Sequence, residues 1–312
     1  MPSFFGRAIG RFRRHEEEAV EVHLAAFGKH PGWDDHIEDL GLDTEVLVGV
    51  RRVLYLQGIA GNIDSGAWEE RGEDERLAGF HHLFVWRLGG DLVLGRMWSS
   101  RDGKGRTRFP MIVCAHCRHL PLRWAVAEVL PRLEAIEQRC KATTEAAEVR
   151  AAIAENDQAL DQAAAAEEPV HDPVLPSPRA VARLAERPEM QPDHQGLHRI
   201  VYQMEREMPA FHLRASDTGT RAVSFRPHHM RVPLCAESRQ EGIQLWMSFL
   251  PSQLDRSTPV LLFLPLEEPW VDLVVGEPGV QQFFCVRAST KAIPLATDIP
   301  YSLDEAFVNR VE

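Results

Sequence analysis

Three apolar runs separated by turn signals constrain this chain more than anything else in it. Phe80 to Leu88 alternates, with His82, Phe84 and Trp86 on one side and Leu83, Val85 and Arg87 on the other, which is the period of a strand. Gly89-Gly90-Asp91 follows as a hairpin-type turn, and Leu92 to Trp98 is its natural partner strand. Phe109 to Cys117 supplies a further strand after a polar loop, and Val20 to Phe27 reads as an earlier one. At 312 residues and 44% hydrophobic content the chain suits one large domain or two ordinary ones with a real core.

Helical spacing takes over between these strands. Asp43 or Thr44 can cap a helix through Glu45, Val46, Leu47, Val50, Val53 and Leu54, and Gly58 to Gly66 reads as a turn-rich break. Pro121 to Cys140 is a second helix, with Trp124, Val126, Val129, Leu130, Leu133 and Ile136 as apolar positions and Pro131 as a kink or split. Lys141 to Glu168 is rich in Ala, Glu and Gln and reads as a solvent-exposed helix. Pro169 to Pro192 reads as a Pro-rich linker carrying one short helix near Arg179 to Glu186.

Gly196 to Met208 is a further helix. Phe211 to Leu213, Arg221 to Phe225, Gln244 to Leu250, Pro259 to Leu264, Trp270 to Val275 and Gln281 to Ala288 are strand candidates. This divides the chain into a basic arm (1–19), an α/β domain (20–140), a helix and linker (141–192) and a strand-rich C-terminal domain (193–312). Whether the two halves share one sheet stays open at this level.

Net charge is −11, which argues against a nucleic-acid partner. No apolar stretch reaches the ~18 residues that a transmembrane helix needs. The arm Met1 to Arg14 mixes Phe4, Phe5, Ile9 and Phe12 with four arginines and lacks the features of a signal peptide. Five scattered cysteines, Cys114, Cys117, Cys140, Cys235 and Cys285, do not make a disulfide framework, and they point to a reducing, cytoplasmic setting.

Two loops are dense in Gly, Pro, aromatic and charged residues. The first is Phe27-Gly28-Lys29-His30-Pro31-Gly32-Trp33-Asp34-Asp35-His36-Ile37. The second is Ser99-Ser100-Arg101-Asp102-Gly103-Lys104-Gly105-Arg106-Thr107-Arg108-Phe109-Pro110-Met111. Gly28-Lys29 and Gly103-Lys104-Gly105-Arg106 invite a phosphate, because glycine exposes backbone N–H groups and the bases supply charge. Neither has P-loop spacing. Asp34, Asp35, His36, Glu38 and Asp39, with His30, offer metal-ligand chemistry, but a solvated helix start accounts for the same acids. Trp33, in a polar loop, is a candidate interface anchor.

Other constellations are weaker. Cys114-Ala115-His116-Cys117-Arg118-His119 is half a zinc site without a second half, and alternation places Cys114 inside and Cys117 outside. His81-His82 and His228-His229 are neighbours that would face opposite sides of a strand. Ser65 lacks the Gly-x-Ser-x-Gly context of a hydrolase elbow.

The two loops together resemble the TagF family of type VI secretion accessory proteins. Gly28, Lys29, Pro31 and Asp35 match the first family motif, with Asp34 and His36 departing from its Gly and Phe. Ser100, Asp102, Gly105, Arg106, Phe109 and Pro110 match the second, with one extra residue between Arg106 and Phe109. The resemblance covers roughly Val22 to Leu133 and marks a divergent member.

It implies an α/β (α+β) fold, a mostly antiparallel sheet with flanking helices, here followed by a second strand-rich region. It further implies a cytoplasmic, non-enzymatic protein without a cofactor. Such a protein takes part in post-translational control of a bacterial secretion apparatus by binding another component, in some members a forkhead-associated scaffold protein. Gly28, Lys29, Pro31, Trp33, Asp35, Ser100, Asp102, Gly105, Arg106, Phe109 and Pro110 are then the residues that bind a partner or structure the loops. The alternative is a nucleotide- or phosphate-dependent enzyme using Lys29, Lys104, Arg106 and an acid such as Asp35 or Asp102. A third reading makes the motifs structural, with Arg106 pairing with Asp102 or Asp35 to lock the loops together.

Overall fold

The apolar runs become the centre of one eight-stranded, wholly antiparallel sheet in a computed structural model that describes residues 19–175, 177–190, 195–208, 226–254 and 257–311. The strands are β1 (Glu21–Lys29), β2 (His36–Leu40), β3 (His81–Leu88), β4 (Asp91–Ser99), β5 (Pro110–Arg118), β6 (His228–Pro233), β7 (Val260–Pro265) and β8 (Trp270–Val275). Their order across the sheet is β2-β1-β5-β4-β3-β7-β8-β6. β3 pairs with β7 over His82 to Arg87, so one sheet runs through both halves of the chain.

Helices cover both faces, which is why β3, β4 and β5 are apolar nearly throughout. On one face lie α2 (122–141), α3 (Ala146–Ala164), α4 (Pro178–Ala185), α5 (Gly196–Glu207) and α6 (Arg239–Gln253), packed over Leu24, Val85, Leu94, Val113 and Leu262. On the other lie α1 (45–64) and a 3₁₀ segment (Val280–Arg287), packed over Phe27, Phe84, Trp86, Ile112 and Phe263. A last short helix, α7 (Glu305–Val311), lies against α5 through Phe307 and Tyr202.

Several sequence expectations are corrected by these elements. The Gly58 to Gly66 break does not occur. α1, capped by the Thr44 hydroxyl on the Leu47 N–H, passes through a π-helical stretch (Arg51–Ile59) and ends only at Asp64, where Gly66 turns with φ +69°. Gly58 serves packing instead, since a Cβ there would run into the Phe283 ring. α2 is not split at Pro131. A π-helical stretch (Ala125–Val129) just ahead of it absorbs the missing N–H and the clash of the proline ring.

α3 is not solvent-exposed all round: Val149, Ala152, Ile153, Leu160 and Ala164 form a buried apolar stripe, and Asp157 accepts the Leu24 N–H of β1 at 2.7 Å. Gln244 to Leu250 belongs to α6, and Gln281 to Ala288 belongs mostly to the 3₁₀ segment, so neither is a strand. The acidic stretch after Trp33 is no helix start: Asp34 and Asp35 lie in a bend, and Glu38 and Asp39 lie in strand β2.

The segment read as a linker is held down. The Leu122 N–H donates to the Pro173 carbonyl, Val170 to His119 and Ser177 to Ser248, while Val174, Ala180, Leu184 and Met190 are buried. Residues 1–18 of the basic arm and the strand candidates Phe211 to Leu213 and Arg221 to Phe225 lie outside the described residues. Among the described residues, no helix is long and apolar enough to cross a membrane.

Candidate functional site

The two loops meet because β1 and β5 are neighbours. Their register sets Gly28 opposite Met111, and β1 bulges between Ala26 and Gly28 where β2 begins to pair. At this bulge Gly28 takes φ +106°, and a Cβ there would overlap the Pro110 carbonyl oxygen. Glycine alone allows that approach.

Lys29 then points inward, its side chain only 4% exposed, and its Nζ donates to Asp102 Oδ2 at 2.8 Å and Asp35 Oδ1 at 2.5 Å. Asp102 is fully engaged. Its Oδ1 accepts the backbone N–H groups of Lys104 and Arg106, both at 3.0 Å, and its Oδ2 also accepts Arg106 Nε at 2.7 Å. Arg106 reaches back to the first loop, with Nη2 donating to the Asp34 carbonyl at 2.9 Å and lying 3.1 Å from Asp35 Oδ1. The Gly103 N–H donates to the Trp33 carbonyl at 2.6 Å, and Gly105 turns with φ +79°.

Electrostatics follow from this lock. Burial alone would raise the Asp102 carboxyl, but hydrogen bonds from Lys29 and Arg106 and the Lys29 charge hold it far below the usual carboxylate range. The Lys29 hydrogen bond likewise lowers Asp35, and Asp102 raises Arg106. Lys29 and Arg106 are therefore committed to carboxylates, whereas Lys104 keeps a side chain 60% exposed, 4.0 Å from Asp34.

The remaining loop residues shape the surroundings. His30 is buried, with Nε2 donating to the Cys140 carbonyl at 3.0 Å and Nδ1 accepting the Gly32 N–H at 3.0 Å. Burial lowers its pKa, and both ring nitrogens are occupied, so it is no free metal ligand. Trp33 is half-buried between His30 and the Arg150 guanidinium. Phe109 packs on His36 and Tyr55, whose hydroxyl lies 3.2 Å from His36 Nδ1. Burial lowers His36 and raises Tyr55.

Pro31 and Ser100 lie on the wall of a cleft of about 670 Å³ beside the lock. Pro110 opens β5. The structure thus brings all the loop residues named from the sequence to one end of the sheet, and it joins Lys29, Asp35, Asp102 and Arg106 directly.

The other constellations resolve differently. Cys114 and Cys117 are both buried on opposite faces of β5, contrary to the inside-outside expectation, because helices cover both faces. Burial pushes their thiols far up, and pushes Cys140 and Cys235 up to about 12. His228 and His229 do face opposite sides, one towards Gln203 and the other towards Asp272.

The sequence reading missed a buried cluster built on Arg231 and Asp272. Arg231 Nε donates to Asp272 Oδ1 at 2.8 Å, and its Nη2 donates to Oδ2 at 3.0 Å and to the carbonyls of Cys285 and Ala288. Burial would raise Asp272, but the Arg231 charge and the His229 hydrogen bond lower it. Ligand atoms of His229, Asp272 and Cys285 lie within 4.8 Å of one another, which is metal-binding spacing. Arg231 nevertheless holds both Asp272 oxygens, and burial raises the Cys285 thiol well above its ordinary range. The cluster reads as a structural ion pair pinning the 3₁₀ segment to the sheet. A visible signal existed: Arg231 and Asp272 are charges inside otherwise apolar strands.

Fold and loops together define a mixed α/β protein with an eight-stranded antiparallel sheet and an interlocked loop pair at one end. No protein-family model matches the chain, and no curated protein matches it.

Proposed function

We propose that this chain is a non-enzymatic, cytoplasmic accessory protein of a bacterial type VI secretion system, which regulates the apparatus by binding another of its components. The observation that carries the reading is the lock between two motifs 73 residues apart, each resembling its TagF counterpart. The matching residues Lys29, Asp35, Asp102 and Arg106 neutralise one another, so they build a rigid platform and leave no free acid–base pair for catalysis. Asp34, Lys104 and Arg106 remain on the outside, more than half exposed, and Trp33, the residue before Asp34, is only partly buried. An aromatic within a charged rim suits protein recognition. By the same resemblance, a forkhead-associated scaffold protein is a partner to test first.

The experiment is affinity capture of the tagged chain from a bacterium carrying such an apparatus, beside a Trp33→Ala/Arg106→Ala double variant whose folding is checked by circular dichroism. Wild type is expected to retain a secretion component that the folded double variant loses. Equal capture by both, or no secretion component with a folded bait, overturns the proposal.

A further inference from the structure

Beside the lock, the cleft collects cations in a chain whose net charge is −11. Arg101, Arg108, Lys141 and Arg287 line it against a single acid, Glu69. Lys141 is partnered, donating to Glu137 Oε1 at 2.6 Å. Among the described residues none of the three arginines makes an ion pair within 4 Å, and Glu69 acts on Arg287 only through space, raising its pKa by less than burial lowers it. Arg101 is exposed on the loop that follows β4, and Arg108 Nη2 donates to the Ile63 carbonyl at 3.0 Å.

Arg287 is the most telling of the three. Its guanidinium lies over the rings of Trp68 and Phe80, at 5.7 and 5.5 Å, and Nη2 makes two long contacts of 3.3 Å with the Leu77 and Ala78 carbonyls. Its Nε is buried without a hydrogen-bond partner. Half-buried charge of this kind is costly unless an anion approaches it, and burial already pulls its pKa down.

Hydroxyl donors complete the wall. Ser99 Oγ accepts the Phe80 N–H and Thr143 Oγ1 accepts the Glu145 N–H, which leaves both hydroxyl protons to donate elsewhere. Ser100, Thr107 and Thr144 add three more hydroxyls.

We propose that this cleft binds a phosphomonoester through Arg101, Arg108 and Arg287. A phosphomonoester carries about −1.5 to −2 charge at neutral pH and three strong acceptor oxygens. Guanidinium groups match those oxygens bidentately, and hydroxyls fill the remaining acceptor positions. A lone carboxylate has too few acceptors for such a donor set. The volume of about 670 Å³ exceeds a bare anion and lies in the range of small organic ligands. The inference uses none of the residues of the lock and does not depend on the identity of a protein partner. It also moves phosphate chemistry from Lys29 and Arg106, which carboxylates already hold by hydrogen bonds, to arginines that no carboxylate holds within 4 Å.

Calorimetry of the full chain tests it, with AMP, a phosphothreonine peptide and its unphosphorylated counterpart as probes. Saturable binding of AMP or the phosphopeptide is expected, weakening with added salt. Arg101→Gln/Arg108→Gln should lower the affinity about tenfold or more, and the exposed Arg101→Gln alone should lower it measurably, while Arg118→Gln, at the end of β5 away from the cleft, leaves it unchanged. Preference for AMP assigns the site to a free phosphorylated metabolite; preference for the phosphopeptide over its unphosphorylated form assigns it to a phosphorylated side chain. No saturable binding of either phosphorylated probe, or undiminished affinity in the folded double variant, overturns the proposal.

Discussion

Replacing Lys29 by Met removes the ammonium at the centre of the loop lock while keeping a side chain of similar length. Its Nζ contacts Asp102 Oδ2 at 2.8 Å, and the two side chains are 4% and 0% exposed. Removing one partner of such a buried pair costs about 3–5 kcal/mol, because the remaining charge stays out of water. Asp102 keeps Arg106 and two backbone N–H groups, which places the expected loss near the lower end, about 3 kcal/mol. For a chain of this size that loss lowers Tm by roughly 4–6 °C. Urea unfolding followed by tryptophan fluorescence measures it, with the slope checked for constancy. Asp35→Asn is the control: Asp35 also touches Lys29 but is 67% exposed, and solvent screening should leave the midpoint nearly unchanged. A Lys29→Met loss below about 1 kcal/mol, the range of exposed pairs, would refute a buried lock.

Three further outcomes are expected. Gly28→Ala, with φ +106° and the Pro110 carbonyl in the way, should cost about 2–4 kcal/mol by the same unfolding assay. His82 is buried and burial lowers its pKa to about 3, so the unfolded chain binds a proton that the native chain refuses. Its contribution is complete above the unfolded pKa of about 6.5 and falls with acidification, by about 1.4 kcal/mol per pH unit until the folded value is reached. Stability profiles between neutral and mildly acidic pH should flatten in His82→Leu. Arg231→Met strands Asp272 and should cost about 3–5 kcal/mol, while Arg231→Met/Asp272→Leu recovers much of it, as unfolding midpoints would show.

The central strands were legible because β3, β4 and β5 are apolar runs between clear turns, with Gly89-Gly90 closing the first hairpin. Strand β2 was hidden by its acids: only a short pairing with β1 past a bulge makes it a strand. α6 was misread because Leu245, Trp246, Met247, Phe249 and Leu250 are all buried, which erases helical periodicity; Ser238 capping the Glu241 N–H was the signal that could have found it. The buried stripe of α3 was hard to read because Val149, Ile153 and Leu160 stand among alanines that occur on both its buried and its exposed faces.

At the site, the pairing of Arg106 with Asp102 and Asp35 was among the readings open from the sequence, and the structure contains it. The burial of Lys29 was not legible, because it depends on β1 and β5 becoming neighbours. The cleft was not legible either, since Lys141 and Arg287 reach it from remote segments.

The most direct test of the central claim is site-specific photo-crosslinking in a bacterium carrying the secretion apparatus, with the crosslinker at Asp34 or Lys104 on the exposed rim and at Glu186 beyond α4 as the reference. The account predicts adducts to one secretion component from the two rim positions and none from Glu186. Adducts absent from the rim, or equal from all three positions, would contradict a protein that works through its locked loops.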